Sequence, residues 1–195
     1  MNKLILVDVD GVVLQWGWAF GAYIKNMGLV PEDHLVRPAY KVEKILDITR
    51  DEATDLIAEF HASDHFKHLE PYDDALHYVH KLADKGYKFV AISAAYQNGT
   101  NEAKIYNNRY ENLEKHYPDI FDDLHLVQMR ASKDRFLKLY SNAYWVEDTL
   151  TNAITGIDVG HTSFFLDREE DPRNQGSHPD VITVKGWEEI YDYIG

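Results

Sequence analysis

Two aspartates follow the first apolar segment of the chain, and their spacing suggests that they share one metal ion. Residues 4–7 read Leu-Ile-Leu-Val, and the next four residues are Asp8, Val9, Asp10 and Gly11. Two carboxylates two residues apart converge on one ion only if the chain turns, and Gly11 permits such a turn. Oxygen ligands alone are a set that suits Mg²⁺. The sequence therefore predicts a magnesium site where this segment ends.

Four further polar residues stand where later strands are predicted to end or helices to begin. Ser93 follows an apolar strand, Lys133 opens a helix, and Glu147 and Asp148 follow another strand. Phosphoryl transfer needs a nucleophile, a proton donor for the leaving oxygen, and cations for the equatorial oxygens. One aspartate of the first pair can be the nucleophile and the other the acid. The lysine and a metal ion would reduce the repulsion between the attacking carboxylate and the negatively charged phosphate. Ser93 and nearby backbone N–H groups would hold the phosphate oxygens.

Short apolar runs alternate with helix-like stretches over most of the chain, and this alternation predicts the fold. It indicates a doubly wound, mainly parallel α/β sheet. In such sheets ligands bind beyond the carboxyl ends of the strands, where the polar residues above are found. The predicted strands are residues 3–9, 87–92, 143–146, 162–166 and 181–184, and the predicted helices are 72–85, 133–140 and 149–159.

Residues 16–70 do not follow this alternation. Three stretches, 16–27, 42–48 and 51–62, have helical spacing, and no strand-like run lies between them. A small helical insert after the first strand is the simplest account, so we divide the chain into a core of residues 1–15 and 71–195 and an insert of residues 16–70. Residues 167–180 form a polar loop with Pro and Gly before the last strand.

Composition limits the classes of partner. The chain has 195 residues and a net charge of −13, so binding to a polynucleotide or an anionic membrane is disfavoured. It contains no cysteine, which excludes thiol nucleophiles and cysteine-ligated zinc. The first apolar run is short and interrupted by Asp8, so neither a signal peptide nor a spanning helix is expected. We therefore expect a cytoplasmic protein that acts on a small molecule, either as a monomer or as a homodimer.

In their order along the chain, these residues resemble the four motifs of the haloacid dehalogenase (HAD) superfamily, which has a Rossmann-like core. The motifs are Asp8-Val-Asp-Gly-Val, Ser93, Lys133 and Glu147-Asp148, and together they span most of the chain. The resemblance implies that Asp8 is a nucleophile that forms an aspartyl-phosphate. It also implies that Asp10 is the acid for the leaving alcohol and then the base for water.

The resemblance further implies a ligand set and a substrate set. Mg²⁺ would be held by the Asp8 and Asp148 carboxylates and the Asp10 carbonyl, with Glu147 as a further ligand or an outer partner. Lys133 would stabilise the phosphate and orient Asp8. Contacts to the substrate are expected from Gly11, Trp16, Ser93, Ala94 and Lys133.

Two features bear on the reaction within this superfamily. Its dehalogenases need no metal and usually lack the second aspartate of the first motif, so Asp10 favours phosphoryl chemistry. The insert of residues 16–70 occupies the position of the helical cap that closes over small substrates in that superfamily. A small phosphorylated metabolite is therefore the expected substrate.

Within the superfamily, the chain resembles the 5′(3′)-deoxyribonucleotidase branch. Trp16 lies six residues after Asp10, where that branch carries an aromatic residue that stacks on the nucleobase. The segments Leu69-Glu-Pro-Tyr72 and Trp187-Glu-Glu-Ile190, with Asn174, are also similar to that branch. The most favoured substrate is therefore a nucleoside monophosphate.

The chain departs from the branch at two motifs, which keeps other functions open. Ser93-Ala94 stands where the branch tends to have Thr-Ser, and Glu147-Asp148 stands where it has paired aspartates. The second departure resembles phosphoglucomutase-like relatives, so a sugar phosphate is the alternative substrate. The protein could alternatively be a binding module without catalytic activity. The complete set of candidate acid, lysine and metal ligands favours an enzyme.

Overall fold

The chain folds around one six-stranded parallel sheet. The structure is a computed structural model that describes residues 3–31, 41–168 and 176–195. The strand order is β3-β2-β1-β4-β5-β6, and every neighbouring pair is parallel. This confirms the predicted α/β class. The strands are β1 (Leu4–Val7), β2 (Lys88–Tyr96), β3 (Phe121–Gln128), β4 (Tyr144–Glu147), β5 (Thr162–Leu166) and β6 (Ile182–Val184).

Helices lie on both faces of the sheet and in a segment inserted after β1. The inserted segment holds the first three helices and a 3₁₀ turn at Asp64–His68. The helices are α1 (Trp16–Asn26), α2 (Val42–Ile45), α3 (Arg50–Ala62), α4 (Asp73–Asp84), α5 (Glu102–His116), α6 (Asp134–Leu137), α7 (Leu150–Asp158) and α8 (Trp187–Ile194).

β1 is buried on both faces, which explains why its sequence is apolar without interruption. Ile5 and Val7 belong to the larger core, which contains residues of α4 and α8. Leu6 points the other way, into a smaller core with Trp145 of β4 and Leu137 of α6. Because successive side chains of a strand alternate between faces, a central parallel strand needs apolar residues at every position. The polar residues that follow β1 are thereby held at the carboxyl edge of the sheet.

The inserted helices begin and end close to the predicted positions, except that α2 is shorter. The start of α3 is fixed by a capping box, in which Thr49 Oγ1 accepts from the Glu52 N–H at 3.2 Å and the Thr49 N–H donates to Glu52 Oε2 at 2.8 Å. The chain returns to the core through Leu69 and Glu70. Residues 32–40 of the insert and residues 169–175, with Asn174, lie outside the described residues.

Two elements were not predicted, and β2 is longer than predicted. The sequence of β3 contains Asp122, Asp123 and His125, and this strand lies at the edge of the sheet, where polar residues face solvent. Helix α5 buries polar residues, so its sequence has no apolar stripe. β2 continues to Tyr96 because its extension pairs with β3. Ser93 therefore lies inside this strand, and the expectation that it follows the strand is wrong.

None of the described helices combines the length and the apolar content that a membrane span requires.

Gly156 in α7 is a test of how closely this helix packs on the strand that carries Glu147. A Cβ at Gly156 would lie 2.4 Å from Trp145 Cδ1 and 2.3 Å from Ser163 Oγ. Alanine normally stabilises a helix by about 1 kcal/mol relative to glycine, but here we expect Gly156→Ala to lower the free energy of unfolding by about 1–3 kcal/mol. Urea denaturation measures the change. Thr151→Ala at an exposed position of the same helix is the control, and an equal or smaller loss in Gly156→Ala would contradict the tight contact.

Candidate active site

A buried lysine joins two strand ends at the carboxyl edge of the sheet. Asp8 follows β1, Glu147 ends β4, and Lys133 precedes α6. Lys133 Nζ lies 2.9 Å from Asp8 Oδ1 and 2.7 Å from Glu147 Oε2. The lysine side chain is 3% exposed and that of Glu147 is fully buried. The structure thus brings together three of the predicted residues in one network of charge-assisted hydrogen bonds.

The charges of this network perturb one another. Burial, together with the charge of Glu147, raises the pKa of Asp8 to about 8, although Lys133 acts against this rise. Burial likewise raises the pKa of Glu147 to about 7, with Lys133 opposing and Asp148 adding to the rise. Burial alone would lower the pKa of Lys133, but the two carboxylates outweigh it and raise that pKa. The lysine therefore stays charged, and the carboxylates need further positive charge to ionise together.

Three of the predicted metal ligands lie close enough together to hold a cation. Asp8, Glu147 and Asp148 each offer a carboxylate oxygen, and these oxygens lie within 4.8 Å of one another. Three carboxylates against one lysine leave a net negative charge that suits a divalent cation, and oxygen ligands suit Mg²⁺. Lys133 already binds Glu147 Oε2, and Glu147 Oε1 accepts from the Thr149 N–H at 3.2 Å. Both carboxylate oxygens of Glu147 therefore already have partners within the site.

Gly11 makes room for this set. Its φ is +82°, a conformation that favours glycine, and it belongs to the turn in which Asp10 pairs with Leu14. A Cβ at Gly11 would lie 2.2 Å from Asp148 Oδ2. The absence of a side chain at Gly11 thus allows the carboxylate after β4 to approach the turn after β1.

Asp10 contacts an arginine that the sequence did not predict. Arg109 of α5 is fully buried, and its Nη2 lies 2.5 Å from Asp10 Oδ2. The guanidinium also lies over the ring of Phe66, 4.3 Å from its centroid. Arg109 holds the Asp10 carboxylate to one side of the turn. A lone arginine in a polar helix has no sequence pattern that distinguishes it from a solvated one, so only the fold reveals this contact.

The same face of α5 fixes the segment through which the insert returns to the core. Asn108 Nδ2 donates to the carbonyls of His61 and Ser63 at 3.0 and 3.1 Å. Asn112 Nδ2 donates to the carbonyls of Lys67 and Leu69 at 3.0 and 3.1 Å. These side chains bind backbone carbonyls at the end of α3 and in and after the 3₁₀ turn, so residues 61–69 are attached to the core.

Ser93 and Ala94 lie on β2, next to β1. The Ser93 side chain is fully buried, and its Oγ has no hydrogen-bond partner among the described residues. Ala94 lines the cavity described below, whereas Ser93 does not. Successive residues of a strand face opposite sides, which explains this difference.

Trp16 belongs to an aromatic cluster and is linked to the core by hydrogen bonds through a histidine. Its ring stacks on Phe20 with centroids 4.8 Å apart, and its Nε1–H donates to His61 Nε2 at 2.8 Å. His61 Nδ1 lies 2.6 Å from the carbonyl of Ala95 on β2, so the neutral ring donates there. Burial lowers the pKa of His61 to about 4, with Arg109 adding to and Asp10 opposing the shift. One face of Trp16 is covered by Phe20, while the side chain still lines the cavity.

A cavity of about 560 Å³ lies between the inserted helices and the carboxyl edge of the sheet. Asp8, Asp10, Gly11, Lys133 and Asp148 line its inner end. Its other walls come from α1, α3, the residues around α2 and the loop after β3. A small organic phosphate fits a cavity of this size.

Gly11→Ala tests whether the turn after β1 shapes the cation site. We expect the new methyl group to displace Asp148 and to weaken Mg²⁺ or Mn²⁺ binding at least tenfold, measured by isothermal titration calorimetry. Gly28→Ala is a matched control, because Gly28 also has a positive φ (+69°) but has no atom within 4 Å of the added Cβ. Equal cation affinity in both variants would contradict this placement of Asp148.

The buried His61 predicts a loss of stability on the acid side of neutrality. Its folded pKa of about 4 lies below the ordinary value of 6.5, so the unfolded state takes up a proton first as the pH falls. Stability from this group is therefore intact above pH 6.5 and falls by about 3 kcal/mol on going to pH 4. In His61→Gln this pH dependence should be absent. Between pH 6.5 and pH 4, the unfolding free energy of His61→Gln should therefore fall by about 3 kcal/mol less than that of His65→Gln. Parallel profiles for the two variants would show that His61 is not buried in neutral form.

Comparisons by sequence find limited similarity. No protein-family profile matches the chain. An uncharacterised 32.4 kDa protein of enterobacteria phage T4, from the Gp30–rIII intergenic region, is 27% identical over 149 residues, which are 74% of this chain and 51% of that protein. The chain thus spans about half the length of this curated relative.

Comparisons by structure show the fold. A haloacid dehalogenase-like hydrolase from Streptococcus pneumoniae has a TM-score of 0.65 at 17% identity, covering 100% of this chain and 99% of that one. L-2-haloacid dehalogenase from Xanthobacter autotrophicus has a TM-score of 0.62 at 12% identity, covering 100% and 98%. D,D-heptose 1,7-bisphosphate phosphatase from B. bronchiseptica has a TM-score of 0.58 at 11% identity, covering 100% and 98%. The chain therefore has the Rossmann-like core of the HAD-superfamily hydrolases.

Proposed function

We propose that this protein is a Mg²⁺-dependent phosphomonoesterase that works through an aspartyl-phosphate intermediate. The observation that carries the proposal is the Asp8 carboxylate, which Lys133 holds at 2.9 Å at the inner end of a cavity. Glu147 and Asp148 place further carboxylate oxygens within 4.8 Å of it. A carboxylate beside a lysine and a cation site is suited to attack a phosphate, because both positive charges reduce the repulsion between anions.

The chain's own residues supply the remaining steps. An Asp8 oxygen attacks phosphorus, and the bond to the ester oxygen breaks as Asp10 gives that oxygen a proton. Water then attacks the phosphorus of the aspartyl-phosphate and gives a proton to Asp10, which releases inorganic phosphate and restores Asp8. Lys133 keeps Asp8 oriented and stabilises the equatorial oxygens. The backbone near Ala94 and Gly11, which both line the cavity, completes the phosphate contacts.

The residues present fit a magnesium ion. The Asp8 and Asp148 carboxylates and the Asp10 carbonyl would hold it, with Glu147 in the outer position because Lys133 and the Thr149 N–H already bind its oxygens. When bound, the ion would neutralise charge on the transferring phosphoryl group. The B. bronchiseptica phosphatase of the same fold was crystallised with magnesium and phosphate, which supports this choice of cation.

We propose further that residues 16–70 act as a cap and that nucleoside monophosphates are the preferred substrates. Trp16 supports the second point, because it lines the cavity and has one ring face covered by Phe20. Its remaining surface can contact a flat base. Sugar phosphates are the competing class.

A substrate panel tests the proposed function. We expect phosphate release from 5′- and 3′-nucleoside monophosphates, in both ribo and deoxy forms, at higher kcat/KM than from sugar phosphates. Removal of Mg²⁺ with a chelator should abolish release. A preference for sugar phosphates would overturn the nucleotidase assignment alone, while no metal-dependent release from any phosphate, including an aryl phosphate, would overturn the phosphatase assignment.

Asp10→Asn separates chemistry from cation binding. Asparagine cannot give a proton to the leaving alcohol, so we expect kcat to fall by about 10²–10⁴-fold while Mg²⁺ affinity stays within about twofold. Asp192→Asn, an exposed position on α8, is the control for a lost carboxylate. Wild-type activity in a folded Asp10→Asn variant, judged by circular dichroism, would show that the assigned acid is wrong.

A further inference from the structure

The charged residues at the outer part of the cavity have the opposite sign to the protein as a whole. The sequence holds 33 acidic and 20 basic residues. Away from Asp8, Asp10, Glu147, Asp148 and Lys133, however, the charged side chains that line the cavity are Lys41, Arg50, Arg130 and a single acid, Glu43. The proposed reaction at the inner end does not use these three cations.

Helix α3 shows that this cationic region is separated from the inner end. Its cavity face contains Arg50, Ala53, Thr54, Ile57 and His61, which share one side of the helix. His61 binds the Ala95 carbonyl at the end of β2, so the last turn of α3 lies beside the core. Arg50 lies eleven residues earlier, roughly 16 Å along the helix at 1.5 Å per residue. The apolar side chains between them line the middle of the cavity.

The position of Arg130 gives an upper bound on the distance between the cationic region and the inner end of the cavity. It lies three residues before Lys133, so the two Cα atoms are at most about 11 Å apart. Its guanidinium is fixed across the boundary between core and insert: Nη1 binds Asp51 at 3.1 Å, and Nη2 donates to the carbonyl of Arg50 at 2.5 Å and to Thr54 Oγ1. A guanidinium has five N–H groups, so Arg130 keeps donors for a further acceptor.

The other two cations differ from Arg130 in their charged partners. Neither Lys41 nor Arg50 forms an ion pair within the described ranges 3–31, 41–168 and 176–195, whereas Arg130 is partly neutralised by Asp51. Two cations of the insert that form no ion pair within the described residues and one oriented guanidinium of the core therefore line one cavity, together with Glu43. Bringing like charges together is unfavourable unless an anion neutralises them.

We propose that Lys41, Arg50 and Arg130 form a second anion site, and that among phosphomonoesters of similar size those with a second anionic group at the far end bind more tightly. This proposal rests on the proposed function, since it places the reacting phosphate at Asp8. The second group is a phosphate, for which three cations are a better match than for a singly charged carboxylate. Bound there, it contacts both core and insert.

A series of alkanediol bisphosphates tests the site without a base or a sugar. We measure phosphate release from ethanediol, butanediol, hexanediol and octanediol bisphosphates, with the alkyl monophosphates of equal chain length. For the wild type we expect a bisphosphate of intermediate chain length to have a kcat/KM at least tenfold higher than the monophosphate of equal chain length. The gain should come from a lower KM. An equal gain with the corresponding ω-carboxyalkyl phosphate would overturn the preference for phosphate.

The double variant Lys41→Gln/Arg50→Gln removes these two cations of the insert and no proposed catalytic group. It should lose at least tenfold in kcat/KM on the best bisphosphate and change less than twofold on the monophosphate. Lys44→Gln is the matched control, because Lys44 is an exposed lysine of α2 that does not line the cavity. Equal losses on both substrates, or the same loss in Lys44→Gln, would overturn the second site.

Binding measurements keep this test independent of turnover. Calorimetry with Asp8→Asn protein and Mg²⁺ compares the affinities for the bisphosphate and the monophosphate in the presence and absence of the double substitution. A bisphosphate advantage that the double substitution removes supports the second site even if the wild type hydrolyses nothing, in which case only the proposed function fails. Equal affinity for the two ligands overturns the site whether or not the protein is a phosphatase.

Discussion

The site depends on the two ion pairs that the buried Lys133 forms with Asp8 and Glu147. Its ammonium group joins Asp8 after β1 to Glu147 at the end of β4, across the centre of the sheet. An unpaired charge in such an environment would be costly, so the lysine and the carboxylates must be brought in together. The packing of α6 and Trp145 on the smaller core places Lys133 at this position. Stability and the proposed chemistry therefore depend on the same three side chains.

The sheet topology explains why those side chains meet. β1 lies between β2 and β4, and the chain crosses from one half of the sheet to the other at this point. Parallel strands direct their carboxyl ends to one edge, so residues far apart in sequence converge there. Gly11 then removes the one side chain that would separate Asp148 from the turn after β1.

A polar network attaches the inserted helices to the core. Asn108 and Asn112 of α5 bind backbone carbonyls of residues 61–69, and Arg109 between them pairs with Asp10. His61 continues the contact to β2. In this arrangement, the inner end of α3 is fixed to the core, while its outer end is joined to the core through Arg130. Helix α3 thus connects the proposed substrate contacts at the outer end of the cavity to the proposed catalytic residues at its inner end.

The sequence by itself determined the fold class, because β1 and most of β4 and β5 are apolar and such runs belong to buried parallel strands. It also determined that Asp8 and Asp148 follow β1 and β4. Only the tertiary structure decided what depends on contacts distant in sequence. β3 is polar because it is an edge strand, and Ser93 lies inside β2 because β3 extends the pairing. The role of Arg109 arises from burial against Asp10, and burial of a single polar side chain leaves no periodic pattern in the sequence.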